Sequence, residues 1–301
     1  MNTRNYLLTV FFLLLGSLGL HAQANLLNSR VPQEVGQLNE QQIEANDESP
    51  LAYGYVDDRD VLWSKTIWEI VDLDERINFP FYYPTDTLNL ASDRRSLFDI
   101  LKKNLSRGKI KEVYKSSYFN EKMTYPEILE SLVLVDTLDI GREQLNNGEP
   151  LDPSYVLRFN ITSKEIRQYR IKGTWYFNKR LGELKYRLLA ICPVAPDVNS
   201  LRKSEEEQDK DLVELFWIWY PDAREVLNKS SVFNNRNSSQ PITYDVMLNS
   251  RRFNSIIYKE ENVYEDREIK DYIFEDALRQ LLESERIKSV IRDFEQDMWN
   301  N

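Results

Sequence analysis

Histidine is almost missing from this chain of 301 residues. Its one copy, His21, falls inside the first 24 residues. Those residues read as a secretory signal peptide. Arg4 supplies the positive end, Tyr6 to Leu20 the apolar stretch, and Ala22-Gln23-Ala24 an A-x-A cleavage site. An uncleaved anchor is the competing reading, but the apolar stretch is shorter than the ~20 residues that span a bilayer. The mature chain then has no histidine. That removes Ser-His-Asp and Cys-His catalysis, imidazole general-base chemistry and histidine metal sites together. Cysteine is as scarce: Cys192 is the single copy. It cannot form an intramolecular disulfide or a thiolate metal cluster. In the apolar run LLAICPV it reads as a small buried hydrophobe, with an intermolecular disulfide as the minority alternative. No cysteine follows the cleavage site closely, which excludes a bacterial lipid anchor. Glycine is sparse and unclustered, and neither GxGxxG nor a Walker-type loop occurs. No later run is long and apolar enough to span a membrane, so no direct membrane insertion is expected.

Basic charge is the other shortage. Without the signal peptide, 38 Lys and Arg face 49 Asp and Glu. This balance disfavours nucleic acid and anionic lipid as partners. Carboxylate pairs are the one catalytic device the composition still allows, for instance Asp72, Asp74 and Glu75, or Asp57, Asp58 and Asp60. With so many acids, adjacent pairs arise by chance, and capping or surface solvation explains them better. The expectation is no enzyme and no cofactor.

What is present centres on Glu165 to Pro196. Tyr169, Ile171, Trp175 and Phe177 alternate with Gln168, Arg170, Lys172 and Thr174, the period of a half-buried strand. The return strand places Leu184, Tyr186, Leu188, Ala190 and Cys192 on one parity. For the two apolar faces to agree, the turn over Asn178 to Gly182 must enclose an even number of residues, or a bulge must absorb the difference. A further strand is expected over 212–220, where Glu214 is the one polar residue, with 253–258 as a candidate fourth. The fold class predicted is α+β: a small antiparallel sheet, hairpin 169–194 plus strand 212–220, packed by helices and followed by a long C-terminal helical segment.

The rest of the chain supplies those helices. Residues 25–54 read as a flexible arm. Val61, Leu62, Lys65, Trp68 and Val71 fit helical spacing after Asp58 or Asp60. The run DERINFPFYYP is expected to be extended, because Pro80 and Pro84 disfavour helix in the residue before each, and its aromatics are expected to pack on the domain. Helices are expected over 93–107 (Ser92 cap, Gly108 after the end), 124–132 (Thr124 cap) and 243–248 (Thr243 cap), with another opened by Pro221. Thr162-Ser163-Lys164-Glu165 is a capping box. The turn-rich stretch 146–153 is either a boundary within the domain 55–301 or a surface loop. Over 271–299 two apolar stripes, Phe274, Leu278, Leu281, Leu282 and then Ile287, Val290, Ile291, Phe294, Met298, run out of phase. A kink or two successive helices near 284–286 is expected.

The hairpin's polar face concentrates Arg170, Lys172, Lys185 and Arg187 on an acidic protein. Like charges opposite one another destabilise a sheet, so something acidic should cover them. The cover is either this chain, for example its loop at 205–211, or a neighbouring subunit. These four residues are the candidate protein interface.

Several strings together resemble one family: WEIVDLDERINFPFYYP (68–84), YRIKGTWYFNKRLGELKYRLLAICPVAP (169–196), ELFWIWYPDAREVL (214–227) and PITYDVMLNSRRFNSIIYKEENVYEDREIKDY (241–272). By these the chain is similar to the GldN/PorN family of gliding-motility proteins of the type IX secretion system of Bacteroidota. The resemblance covers essentially the whole mature chain. It implies a periplasmic, non-enzymatic component that binds the outer-membrane lipoprotein GldK (PorK), self-associates in a ring and contacts the GldL/GldM motor complex. The family offers no catalytic motif to carry over. A periplasmic carboxylate-dependent enzyme or carbohydrate-binding protein is the alternative.

Overall fold

The computed structural model describes residues 49–86, 94–148, 150–202, 212–233 and 242–299. The expected signal peptide, most of the arm, the Ser92 cap and the acidic loop at 205–211 lie outside the described residues.

The first element overturns an expectation. Val61–Asp72 is a strand, β1, and not a helix. The apolar spacing fitted a helical stripe because β1 is covered on both sides of the sheet: Ile67 and Trp68, on opposite faces, are both buried. Such a strand loses its alternation, while its Val, Ile, Thr and Trp content favours extended backbone. The run after it is not extended throughout. A 3-10 turn, Arg76–Asn78, leads into a short helix α1, Phe79–Tyr82. Pro80 occupies the first turn, where its missing N–H costs nothing. Tyr83, ahead of Pro84, is extended. Phe81 enters the core as expected, whereas Tyr83 is exposed.

Helix α2, Leu97–Ser106, starts later than expected and is capped by Ser96, whose Oγ accepts from the Asp99 N–H at 3.2 Å. Gly108 follows its end at φ +66°, the left-handed conformation a helix terminus favours. Strand β2, Val113–Tyr114, is followed by α3, Tyr125–Leu132, where the Glu127 carboxylate accepts from the Thr124 N–H at 2.6 Å. Strands β3 (Val133–Thr137) and β4 (Val156–Asn160) pair with each other around α4, Asp139–Asn146. The 146–153 stretch lies inside this excursion.

The hairpin forms as β5, Gln168–Asn178, and β6, Glu183–Pro196. The capping box ahead of it is made, with Glu165 accepting from the Thr162 N–H at 2.7 Å. Asn178 pairs with Glu183, so four residues are enclosed, and a bulge also occurs: Lys172 pairs with Ala190 but Gly173 with Leu188. Leu189 is the extra residue. Beyond it the parity of β6 reverses, so Ala190 and Cys192 do not share a face with Leu184 and Tyr186, as the alternation alone implied. They pack instead with Trp68 and Trp217. The expected strand 212–220 is two strands, β7 (Leu212–Glu214) and β8 (Trp217–Trp219), both on β6 and separated by buried Leu215 and Phe216. Tyr220 already belongs to α5, Tyr220–Asn228, with Pro221 in its first turn. Strands β9 (Ser231–Val232) and β10 (Ile242–Thr243) form a small pair before α6, Tyr244–Asn249, capped by Thr243.

Strand β11, Ile256–Glu260, falls later than the candidate at 253–258 and pairs with β1. The main sheet is seven-stranded, in the order β11-β1-β5-β6-β8-β2 with β7 also on β6. After α7, Ile269–Tyr272, the C-terminal helix α8 runs unbroken over Ala277–Trp299. The phase change across Ser284 to Arg286 is therefore a change of surroundings within one helix, not a break between two. Ile287 and Ile291 pack on Ile67 and Ile257 of the sheet. Leu278 and Leu282 are 66% and 59% exposed. Buried Ser284 marks the change, its Oγ accepting from the Ile257 N–H at 2.9 Å.

Candidate interaction surface

The four basic residues singled out above do not act alike. Arg170 lies opposite Ile70 and Cys192 in the sheet. It donates to Glu214, which also accepts from the Trp217 indole at 2.6 Å, and its guanidinium stacks on Tyr258 at 4.9 Å. Part of its acidic cover therefore comes from β7 of the same chain. Lys185 pairs with Glu183 at the turn. Arg187 lies over the Tyr53 ring at 4.0 Å, and Arg224 does so at the same distance. Tyr53 also donates to Asn249 at 3.0 Å. Its hydroxyl is pushed up by burial, against the pull of Arg224. Arg224 in turn holds Asp245 through two bonds of 2.9 Å.

Lys172 differs from the others. It sits directly across from Trp68, and Lys259 of β11 sits directly across from the same tryptophan on its other side. Directly opposed residues share a sheet face. The three strands thus present a row Lys259–Trp68–Lys172. The ammonium groups lie 4.7 Å (Lys172) and 4.6 Å (Lys259) from the indole centre. The loop after β2 closes over the row. Lys172 donates to the Ser117 carbonyl at 2.9 Å, and Lys259 to the Tyr118 hydroxyl at 2.6 Å. Phe119, at φ +60°, turns its ring towards Lys172 and stacks edge-on against Tyr114 and Trp219. Burial, helped by the neighbouring charge of Lys259, holds the Lys172 ammonium below its usual pKa.

Trp68, Tyr118, Phe119 and Lys259 were not among the residues singled out from sequence. Trp68 was read on a helix, and register between distant strands leaves no local pattern. The alternation in β5 did place Arg170 and Lys172 together correctly. Cys192 is buried, and burial pushes its thiol well up, as its apolar surroundings imply.

Among the described residues no cluster of three or more His, Cys, Asp or Glu is placed to hold a metal ion, and no helix is long and apolar enough to cross a membrane. Comparison with curated proteins gives no match. The family model described as "Gliding motility associated protein GldN" matches residues 56–300. That match runs from before β1 to the end of α8 and includes the lysine–tryptophan row, so the chain belongs to the GldN family, a component of the gliding-motility and type IX secretion machinery.

Proposed function

We propose that this protein is a periplasmic, non-enzymatic assembly component of that machinery, bound to an outer-membrane lipoprotein of the GldK/PorK kind, self-associated in a ring and in contact with a GldL/GldM motor complex. The observation that carries the reading is the family match over 56–300. The export pattern of the first 24 residues supports the compartment. The family is a motility and secretion component and not a known enzyme family. The buried carboxylates Glu69 and Asp245 are each held by an arginine, which favours a structural over a catalytic use of both.

The size of the native species in a detergent extract tests this. A megadalton assembly that retains a lipoprotein partner is the expected result. A monomer that binds or cleaves glycan would overturn it in favour of a carbohydrate-active periplasmic protein.

A further inference from the structure

Across a protein of formal net charge −10, two lysines share one tryptophan. Among the described residues neither Lys172 nor Lys259 has a carboxylate within ion-pair range. Each makes one hydrogen bond to a neutral oxygen, Ser117 O or Tyr118 Oη. Tyr118 passes a further bond to Asp266 at 3.1 Å, so that carboxylate meets the phenol and not an ammonium. An ammonium carries three donors, so both lysines keep unused ones.

Two more donors on this face are unpartnered. The Trp68 indole N–H is buried, on a residue 2% exposed, and has no acceptor among the described residues. The same holds for Nε of Arg170, two positions along β5 from Lys172. Buried donors without acceptors are costly, and two of them lie beside two ammonium groups that have ring faces and the more distant carboxylates Asp266 and Glu261 around them but no direct ion pair, so donors outnumber acceptors here. Adjacent like charges add to the cost. The Glu214 carboxylate offsets Arg170 alone. Tyr118, which covers the row, is 43% exposed as a residue, so the site lies close beneath the surface.

We propose that the Lys259–Trp68–Lys172 row, under the 116–119 loop, is a binding site for a carboxylate side chain of an acidic protein partner. The carboxylate would accept from both ammonium groups, while its stem lies against Tyr118 and Phe119. A protein carboxylate is favoured over a small inorganic anion because the loop that closes the row is aromatic and offers a side chain apolar contact. This rests on the assembly role proposed above and gives that role a contact chemistry.

The probe is a fluorescein-labelled oligoglutamate peptide, titrated into the mature full-length protein at low ionic strength and read by anisotropy. Wild type is expected to bind it in preference to oligoglutamine, although the protein's net charge opposes binding. Lys172→Met/Lys259→Met should weaken binding by about 10-fold or more, the loss expected for charge-assisted hydrogen bonds. Lys179→Met, an exposed lysine in the hairpin turn, should leave affinity unchanged. Lys259→Met alone should give a smaller loss and serves if the double variant misfolds by circular dichroism. Equal affinity for both peptides, or full affinity in a folded Lys259→Met or double variant, would overturn the proposal. So would binding of inorganic phosphate without binding of oligoglutamate. A negative result here leaves the megadalton-assembly experiment unaffected, so the two readings fail separately.

Discussion

Replacing Glu69 by glutamine removes the negative charge on which a buried corner of the sheet depends. Glu69 is 1% exposed in the middle of β1. It accepts from Arg251 Nη1 at 2.9 Å and Nη2 at 2.7 Å, from Ser255 Oγ at 2.7 Å and from Tyr186 Oη at 3.3 Å. The guanidinium also lies 4.2 Å over the Tyr186 ring. Breaking one side of a buried ion pair costs about 3–5 kcal/mol, because the surviving charge is left uncompensated. The Arg251 side chain is 23% exposed and Glu69 only 1%, so the two single changes should differ. Glu69→Gln leaves a cation with some access to water and should fall near the lower end of that range. Arg251→Met leaves an anion with almost none and should fall near the upper end. The double variant removes both charges, and its amide can still accept from Ser255 and Tyr186. It should be at least ~2 kcal/mol more stable than the sum of the singles predicts, within the coupling seen for residues in one network. Urea unfolding followed by tryptophan fluorescence reads all four corners of the cycle. Singles that add to the double within about 0.5 kcal/mol would refute the coupling, and with it the view that Glu69 is held here by Arg251.

Alkali should unfold the protein through its tyrosines. Burial raises the hydroxyls of Tyr169, Tyr186, Tyr220 and Tyr244. In the unfolded chain they lose protons near pH 10 and in the fold they keep them, so stability is fully present below pH 10 and falls above it. The loss is about 1.4 kcal/mol per tyrosine per pH unit, hence about 6 kcal/mol for the four by pH 11, a large share of a typical domain's stability. Lys172, held down by burial, acts in the opposite direction as pH rises towards 10.5, but it is a single group. A melting temperature flat from pH 9 to 11 would refute this. In α8, Ile287→Ala should cost about 2–5 kcal/mol and Leu282→Ala less than about 0.5 kcal/mol, since only the first is packed on the sheet. Equal costs in a melting comparison would place both stripes in the core.

Local chemistry was legible before the fold was known. The caps at Thr124, Thr243 and the 162–165 box depend on residues three apart. The 165–196 hairpin depends on alternation over a short run, and Pro221 opens a helix by its own ring geometry. The absence of histidine and the lone cysteine set limits on chemistry that no folding could relax. These follow from composition and from interactions within a few residues, which a sequence displays directly. The tertiary structure decided the rest. It made 61–72 a strand, because pairing on both edges and burial on both faces outweighed a spacing that also fitted a helix. A bulge at Leu189 carried Cys192 to the opposite face. The two stripes of α8 belong to one continuous helix, and they differ because only its second half packs on the sheet. The basic face first singled out on the hairpin resolved into an arginine neutralised by Glu214 and a lysine sharing Trp68 with Lys259. Register between strands more than eighty residues apart brought those groups together, and register is set by the packing of the whole sheet, which no local pattern encodes.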